Sequence, residues 1–239
     1  MNINTISKGL AYFIISISFS VLCFKTYAQD SLNIYHIKYR YLFTADDPAV
    51  KPTEAQKERM NDGYLNVYFT ALNDKPKYKV LHGDSLSELG CWETMTKFVI
   101  FGGQATKIVG AMVPPDEILK KGESLYLLPS DFNYEYKESP QTLLGKSCQV
   151  MVARPKTGED DHEFWFSLNT DMPTVPWYYF GFLQDDWYGG LLQGMYHNIK
   201  QKTRFGIQAV DFSQLRVPYD FFELPANMLV KELRPPKLY

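Results

Sequence analysis

The sequence predicts a mainly β protein of the α+β class, with a curved, partly open antiparallel sheet and two or three short covering helices. Three observations support this prediction. In a long segment after residue 30, aromatic or apolar residues alternate with polar ones at a period of two. Short apolar runs recur between turn residues, and helical signals are few and short. Period-two alternation is typical of half-buried strands. Several strands with a few short helices favour a meandering sheet with helical covers.

The first predicted strand spans residues 32–43 and has one aromatic face. The opposite face carries His36, Lys38 and Arg40, which favour contact with water. The members of the aromatic face are Tyr35, Ile37, Tyr39, Tyr41 and Phe43.

Further strands are predicted wherever apolar runs are bounded by turn residues. Residues 64–72 and 78–81 flank a polar turn and predict one hairpin, and residues 148–153 and 163–168 flank a second turn and predict another. The remaining predicted strands cover residues 96–101, 106–109, 125–128 and 204–212.

Helical signals occur at three places. Thr53 and Gln56 form a potential capping box, with Pro52 before it and Gly63 beyond, a pattern that marks a helix start. Residues 115–121 begin acidic and end basic, which suits the helix dipole. Residues 189–199 fit a helix or a strand equally well.

The first 28 residues have the features of a secretory signal peptide. They contain no acidic residue, carry Lys8 ahead of an apolar run over residues 10–24, and end at Ala28. A basic start, an apolar core of ~7–15 residues and small residues before the cleavage site describe such a signal, and the run is shorter than the ~20 residues that span a bilayer. We therefore predict cleavage after Ala28 and a periplasmic or secreted protein. Residues 29–239 are then a single β-rich domain with no transmembrane segment.

Composition narrows the list of partners. The chain has a formal net charge of −2 at pH 7, and nucleic-acid-binding surfaces need dense Lys and Arg, so we predict no nucleic-acid partner.

Cys91 and Cys148 remain after cleavage. In an oxidising compartment they can form a disulfide. They can equally be two buried thiols that pack as small apolar side chains, and the sequence leaves both interpretations open.

Motifs of the common enzyme classes are missing from the sequence. It has no G-x-S-x-G, H-E-x-x-H, G-x-x-x-x-G-K-[ST] or G-x-G-x-x-G string. His162 follows a run of acids, which we interpret as a solvated loop and not as a metal site. His82, Asp84 and Ser85 are too close in sequence for a catalytic triad, whose members come from distant segments, so we interpret them as a connection between strands. We predict no cofactor and no metal.

Residues 177–188 are unusually aromatic, with seven aromatic side chains in twelve positions. Such density can line a groove for a sugar, a lipid or a peptide, because aromatic faces bury much area at little cost in side-chain freedom. The alternative, which we favour, is that these rings fill an ordinary core, because aromatic residues dominate core packing. The candidate ligand-binding residues in this segment are Trp177, Tyr179, Phe182 and Trp187.

Four motifs stand out in the last third of the chain. They are Leu144–Cys148, the strand that ends in Thr170-Asp171-Met172-Pro173, Gly189–Leu192, and the closing Asp220–Pro225. In these motifs the chain resembles the GLPGLI family and related secreted proteins of Bacteroidetes. The literal Gly-Leu-Pro-Gly-Leu-Ile string is absent, so this chain would be a divergent or sister member.

The resemblance implies a LolA-like fold, a curved sheet with short helices over a hydrophobic concavity. It would place the aromatic face of the first strand on the concave side, as a second set of candidate ligand-binding residues. We rank three hypotheses: a secreted envelope protein that binds a lipid or another hydrophobic or amphipathic ligand on that face, a non-enzymatic envelope protein that contacts another protein or a polysaccharide, and, last, a hydrolase. Fold alone does not decide between them.

Overall fold

The computed structural model describes residues 31–71, 77–91, 96–109, 132–156, 161–174 and 189–233. These ranges contain thirteen strands, one α-helix and one 3-10 helix. The strands are β1 (Ser31–Ala45), β2 (Tyr64–Phe69), β3 (Lys77–His82), β4 (Ser85–Cys91), β5 (Thr96–Phe101), β6 (Gln104–Val109), β7 (Phe132–Tyr136), β8 (Gln141–Leu143), β9 (Lys146–Pro155), β10 (His162–Asn169), β11 (Gly190–Asn198), β12 (Thr203–Pro218) and β13 (Leu229–Leu233). The helix α1 covers Glu54–Asn61, and the 3-10 helix covers Tyr219–Phe222.

All thirteen strands belong to one sheet, and its centre is the pair formed by β1 and β12. The strand order is β13-β6-β5-β4-β3-β2-β1-β12-β11-β10-β9-β7, with β8 paired to β9. Every pairing is antiparallel except that of β13 with β6. The predicted mainly β class with an open antiparallel sheet is therefore confirmed.

The predicted aromatic alternation of the first strand is confirmed, and it defines two faces of the sheet. Ile37 and Tyr39 are fully buried, and Tyr35 and Tyr41 pack against the same hydrophobic cluster. We call this side the inner face. Lys38 lies on the other side, the outer face, with its ammonium 4.0 Å from the ring centroid of Tyr64.

Both halves of the sheet contribute to one core on the inner face. Val67 and Val80, from β2 and β3, belong to the same cluster as Phe132 and Met151, from β7 and β9. These two pairs of strands lie on opposite sides of the central β1–β12 pair. The core is therefore continuous across the middle of the sheet.

Helix α1 begins where the capping box predicts. The Thr53 hydroxyl accepts a hydrogen bond from the backbone amide of Gln56, and the Gln56 side chain accepts one from the Thr53 amide. The helix buries none of its residues. The predicted helix at 115–121 lies outside the described residues, and the ambiguous segment 189–199 is the strand β11.

Both predicted hairpins are confirmed by their pairings, β2 with β3 and β9 with β10. His82 to Ser85 is the connection between β3 and β4, as expected. The sequence did not predict β4, β7, β8 or β13. The β5–β6 hairpin closes through Gly102 and Gly103, both at positive φ, which two-residue hairpin turns require.

Within the described residues, Cys91 and Cys148 are not joined by a disulfide, so the alternative of two thiols is the one observed. Cys91 ends β4, whereas Cys148 lies in β9 and is buried. Six strands separate β4 from β9 in the sheet order. Since a disulfide needs Cα atoms within about 7 Å, this separation is the physical reason why the pairing expected as one alternative does not form.

The described ranges include no helix with the length and apolar composition that crossing a bilayer demands. The proposed signal peptide, residues 1–28, lies outside them.

Candidate ligand-binding cleft

An apolar cleft opens on the inner face, where β1, β12, β11 and β10 lie side by side. Its volume is about 380 Å³. Clefts of this size with mostly apolar and aromatic walls are typical of small-ligand sites. Its lining consists of Tyr41, Arg59, Leu65, Phe164, Phe166, Leu191, Gly194, Met195, Tyr196, Phe205, Gly206 and Ile207.

One position in a row of inner-face residues that line the cleft has no side chain. In this row Tyr41 pairs with Ile207, and Ile207 pairs with Gly194. Gly194 in turn pairs with Phe166. A Cβ added at Gly194 would lie 3.7–3.9 Å from the side chains of Leu191, Phe166 and Ile207. The absent side chain therefore leaves a gap that these three apolar groups surround.

Aromatic rings form one wall of the cleft. Phe205 pairs with Tyr196, and Tyr196 pairs with Phe164, so the three rings follow one another across three strands. The ring centroids of Phe164 and Tyr196 are 5.6 Å apart, and Tyr41 stacks on Phe205 at 6.0 Å. Rings packed at these distances support one another and present flat, apolar surfaces.

Among the described residues that line the cleft, the charged one is Arg59, which α1 supplies. Nearby, the Tyr41 hydroxyl lies 3.2 Å from His82 Nδ1. Burial lowers the pKa of His82, the positive charge of Arg59 lowers it further, and Asp62 partly opposes both effects. A neutral imidazole can accept the proton that the Tyr41 hydroxyl donates. The cleft thus has an apolar floor with polar groups to one side.

The structure distributes the predicted residues of the first strand unequally around this cleft. Tyr41 lines it. Tyr35 lies further along β1 and packs on Phe69 and Phe212, with ring centroids 5.7 and 6.0 Å away. Phe43 is half-buried and pairs with Phe205 at the edge of the aromatic wall.

Ile37 and Tyr39 are core residues in the described structure. Both are fully buried, and the Tyr39 hydroxyl donates a 2.8 Å hydrogen bond to the carbonyl of Leu191. Their predicted contact with a ligand therefore stays a prediction. Trp177, Tyr179, Phe182 and Trp187 lie outside the described residues.

Sequence reasoning missed most of the cleft. Phe164 and Phe166 alternate in β10 as Tyr39 and Tyr41 do in β1, and that alternation was a usable signal. Gly194 gave no signal, because its importance depends on which residues lie opposite it on neighbouring strands. Arg59 belongs to a helix that the sequence predicted, but nothing in the sequence placed that helix beside the sheet.

The histidines of the two polar motifs, His82 and His162, make defined contacts with aromatic side chains. His82 is hydrogen-bonded to Tyr41. His162 packs against the rings of Tyr196 and Phe164, with centroids 5.8 and 6.1 Å away. In the part of the chain that the structure describes, no three His, Cys, Asp or Glu side chains gather closely enough to hold a metal ion.

Several solved structures are similar to this chain. PNGF-II matches with a TM-score of 0.44 and 10% identity, over 84% of this chain and 31% of that chain. MucB in complex with MucA(peri) matches with a TM-score of 0.36 and 13% identity, over 81% of this chain and 55% of that one. A putative outer membrane lipoprotein-sorting protein domain from Vibrio parahaemolyticus matches with a TM-score of 0.29 and 7% identity, over 76% and 85%.

This chain therefore spans about a third of the length of PNGF-II and about half that of MucB. No protein-family model and no curated protein matches the sequence, so the resemblance to the GLPGLI family stays a prediction. All three TM-scores are under 0.5, so these similarities carry no functional conclusion for this chain.

Proposed function

We propose that this chain is a secreted envelope protein that binds a hydrophobic or amphipathic ligand in the inner-face cleft. The observation that carries the proposal is the open cleft of about 380 Å³ on the inner face, in whose lining Gly194 presents no side chain among apolar groups. Well-packed cores close such gaps, because interiors have the density of organic crystals. An open apolar cleft in a protein is therefore a default ligand site.

The composition of the cleft favours an apolar chain or ring system as the buried part of the ligand. Leu191 and Ile207 are almost fully buried at its floor, and Phe205 and Tyr196 form its wall. Covering such a surface contributes roughly 25 cal/mol for each Å² of apolar area removed from water. Micromolar binding needs about 8 kcal/mol beyond an association cost of at least about 4 kcal/mol. At 25 cal/mol for each Å², this corresponds to roughly 500 Å² of apolar area removed from water.

One end of the cleft is suited to a polar group. Arg59 lines it with an exposed side chain, and a guanidinium offers five N–H donors. A ligand with an apolar tail over Gly194 and a polar head beside Arg59 would satisfy both parts of the site. This arrangement supports an amphipathic ligand, such as a lipid, over a purely apolar one.

The proposal includes location and organisation. Cleavage after Ala28 would release residues 29–239 into the periplasm or beyond it as one domain. The cleft would then face the envelope compartment, where lipids and their fragments are available to it.

The first experiment is native mass spectrometry with lipid extraction. The full-length chain is expressed with its own leader, and the mature protein is purified from the periplasm without detergent. We expect a reproducible co-purifying apolar molecule and a mature mass that begins at residue 29. A protein that carries no ligand and does not bind the apolar probe N-phenyl-1-naphthylamine would contradict the proposal.

A plug variant locates the site. Gly194→Leu should fill the gap and weaken binding of the same probe by about tenfold or more, which corresponds to a loss of about 1.4 kcal/mol. The matched control is Gly194→Ala, whose added methyl group makes only ordinary contacts and should leave most of the binding intact. Equal binding by the leucine and alanine variants would place the probe elsewhere.

A second candidate function, contact with another envelope protein, is favoured by one surface patch. Phe101 is 89% exposed and Leu229 is 68% exposed. Both pair with Gln104, from opposite sides, and therefore lie in one row across β5, β6 and β13. Exposed apolar patches often mark interaction sites. If a Phe101→Ser/Leu229→Ser variant loses a specific cross-linked partner in envelope extracts but keeps its lipid, the chain has both functions.

A further inference from the structure

A second cleft, of about 530 Å³, lies on the outer face near the β7 edge of the sheet. Its lining includes Glu135, Tyr136, Lys137, Glu138, Val150 and Trp165. In β10, Trp165 alternates with Phe164 and Phe166, which pack on the inner side. Trp165 therefore points to the opposite side of the sheet from the apolar cleft, and the two sites are independent.

A buried carboxylate fixes the Trp165 ring. Glu163 is only 5% exposed, and its Oε1 accepts hydrogen bonds from Trp165 Nε1 at 2.5 Å and from His197 Nδ1 at 2.9 Å. Its other oxygen accepts from Arg154 Nε at 2.9 Å. Because the one donor of the indole is taken, its plane is set and its face is left for contact with a ligand.

The same network continues to the polar side of the cleft. Arg154 Nη1 donates to Glu135 Oε2 at 2.7 Å, and Lys137 Nζ lies 2.6 Å from Glu135 Oε1. The Lys137 ammonium is also 5.8 Å from the Trp165 ring centroid. Arg154 thus bridges Glu163 and Glu135, and charge-assisted hydrogen bonds of this kind help to orient the side chains that make them. Trp165 and Lys137 are thus both positioned around the opening.

The network is suited to binding and not to acid catalysis. Hydrogen bonds from Arg154 and Lys137 lower the pKa of Glu135 to about 2. Burial alone would raise the pKa of Glu163, but the hydrogen bonds from His197 and Trp165 and the charge of Arg154 outweigh it and lower that pKa. A glycosidase of the common type needs one carboxyl group that stays protonated near its working pH. Neither carboxylate meets that condition.

We propose that the outer cleft binds a neutral pyranose unit of an envelope polysaccharide, with its C–H face on Trp165 and its hydroxyls on Lys137 and Glu138. A fixed aromatic face suits the apolar side of a sugar ring. Lys137 can donate hydrogen bonds and Glu138 can accept them, and the hydroxyls of a sugar can do both. Positive and negative side chains alternate around the opening, so the cleft has no strong net field to select a charged ligand.

The test is affinity electrophoresis of the mature protein in native gels that contain soluble β-glucan, mannan or galactan. We expect at least one of these neutral polysaccharides to retard the wild type. Trp165→Ala should weaken that interaction by about tenfold or more, the equivalent of about 1.4 kcal/mol, and Lys137→Ala by a smaller factor. Phe101→Ala, which removes an exposed ring far along the sheet, is the matched control and should migrate like the wild type.

Three outcomes would overturn the proposal. In the first, none of the three polysaccharides retards the protein. In the second, only an acidic uronic-acid polymer or unfolded casein retards it. In the third, the Trp165→Ala variant is retarded as much as the wild type. Trp165→Ala removes the indole N–H that donates a hydrogen bond to the buried Glu163. Circular dichroism and thermal unfolding must therefore show that the variant is folded. If it is not, the Lys137→Ala variant decides, since the Lys137 side chain is 32% exposed and its ion pair is with the exposed Glu135, so its removal should leave the fold intact.

Discussion

Two glycines that lie close together on neighbouring strands have opposite roles. A Cβ at Gly194 would meet only side chains at 3.7 Å or more. A Cβ at Gly206 would lie 2.0 Å from the Gly194 carbonyl oxygen and 2.8 Å from the Met195 Cα. Gly194 therefore leaves open a space that ligands could use, whereas Gly206 allows β11 and β12 to approach each other.

This contrast predicts the stability of two alanine variants. Gly206→Ala should lower the free energy of unfolding by about 1–3 kcal/mol or more, because backbone atoms must move to admit the methyl group. Gly194→Ala should leave it unchanged or raise it by about 0.5 kcal/mol, since alanine loses less conformational freedom on folding than glycine. Urea unfolding of the two variants measures the difference. Equal losses of stability would contradict this account.

A buried acid in β4 should make stability depend on pH. Glu88 is 8% exposed, accepts a hydrogen bond from the Tyr78 hydroxyl and lies 2.8 Å from Lys97 Nζ. Burial raises its pKa above the ordinary value of 4.5, although the charge of Lys97 and both hydrogen bonds oppose the shift. The folded state therefore holds this proton more tightly than the unfolded state.

The direction in which pH changes the stability follows from the linkage between proton binding and folding. The contribution of Glu88 is fully present below its unfolded pKa and is lost as pH rises through its folded pKa, so wild-type stability should fall above about pH 4.5 relative to Glu88→Gln. The glutamine variant has no proton to lose at this position and supplies the reference curve. Chemical unfolding of both proteins at half-unit steps of pH tests the prediction. A constant difference between the two curves would show that Glu88 does not titrate in this window.

At the scale of elements, α1 is capped well but packed weakly. Thr53 and Gln56 satisfy each other's backbone amides, yet the helix buries no residue. Its stability therefore comes from local interactions, which is unusual because most helices in proteins depend on packing of an apolar face.

Thr53→Ala should fray α1 without unfolding the protein. Loss of an N-cap costs about 1 kcal/mol, so amide exchange should become several times faster over residues 54–61. Exchange in β1 and β12 should not change, and those strands serve as the internal control in one hydrogen-exchange measurement. Faster exchange throughout the sheet would mean that the helix is needed for global stability.

Elements with strict alternation could be predicted from the sequence, and the others could not. In β1, Tyr35, Ile37 and Tyr39 repeat every second residue, and the strand was predicted almost to its ends. In β4, buried Glu88 interrupts the apolar pattern, and its ion pair with Lys97 of the next strand is invisible before β5 is paired. The cleft was missed for the same reason, since Gly194 matters only once Phe166 and Ile207 lie on either side of it.

At the scale of the whole molecule, the absence of a bridge between Cys91 and Cys148 predicts indifference to reductant. A disulfide between strands so far apart in sequence would typically stabilise by about 2–4 kcal/mol, or roughly 5–15 °C in Tm for a protein of this size. We expect the Tm to be the same with and without dithiothreitol. Mass spectrometry after alkylation of the unfolded, unreduced protein should find both thiols modified. A fall in Tm on reduction would restore the disulfide that the sequence left open.

The central pairing of β1 with β12 also determines the order in which the sheet can be completed. It joins Ser31 to Pro218 and Ala45 to Thr203, so β1 meets β12 only after all the strands between them have been synthesised. Contacts this distant in sequence slow folding, because the chain must close a very long loop before they form. During that interval the aromatic side of β1 stays exposed along the edge that β12 later pairs with, and a nascent chain with such a surface is prone to aggregate until β12 arrives.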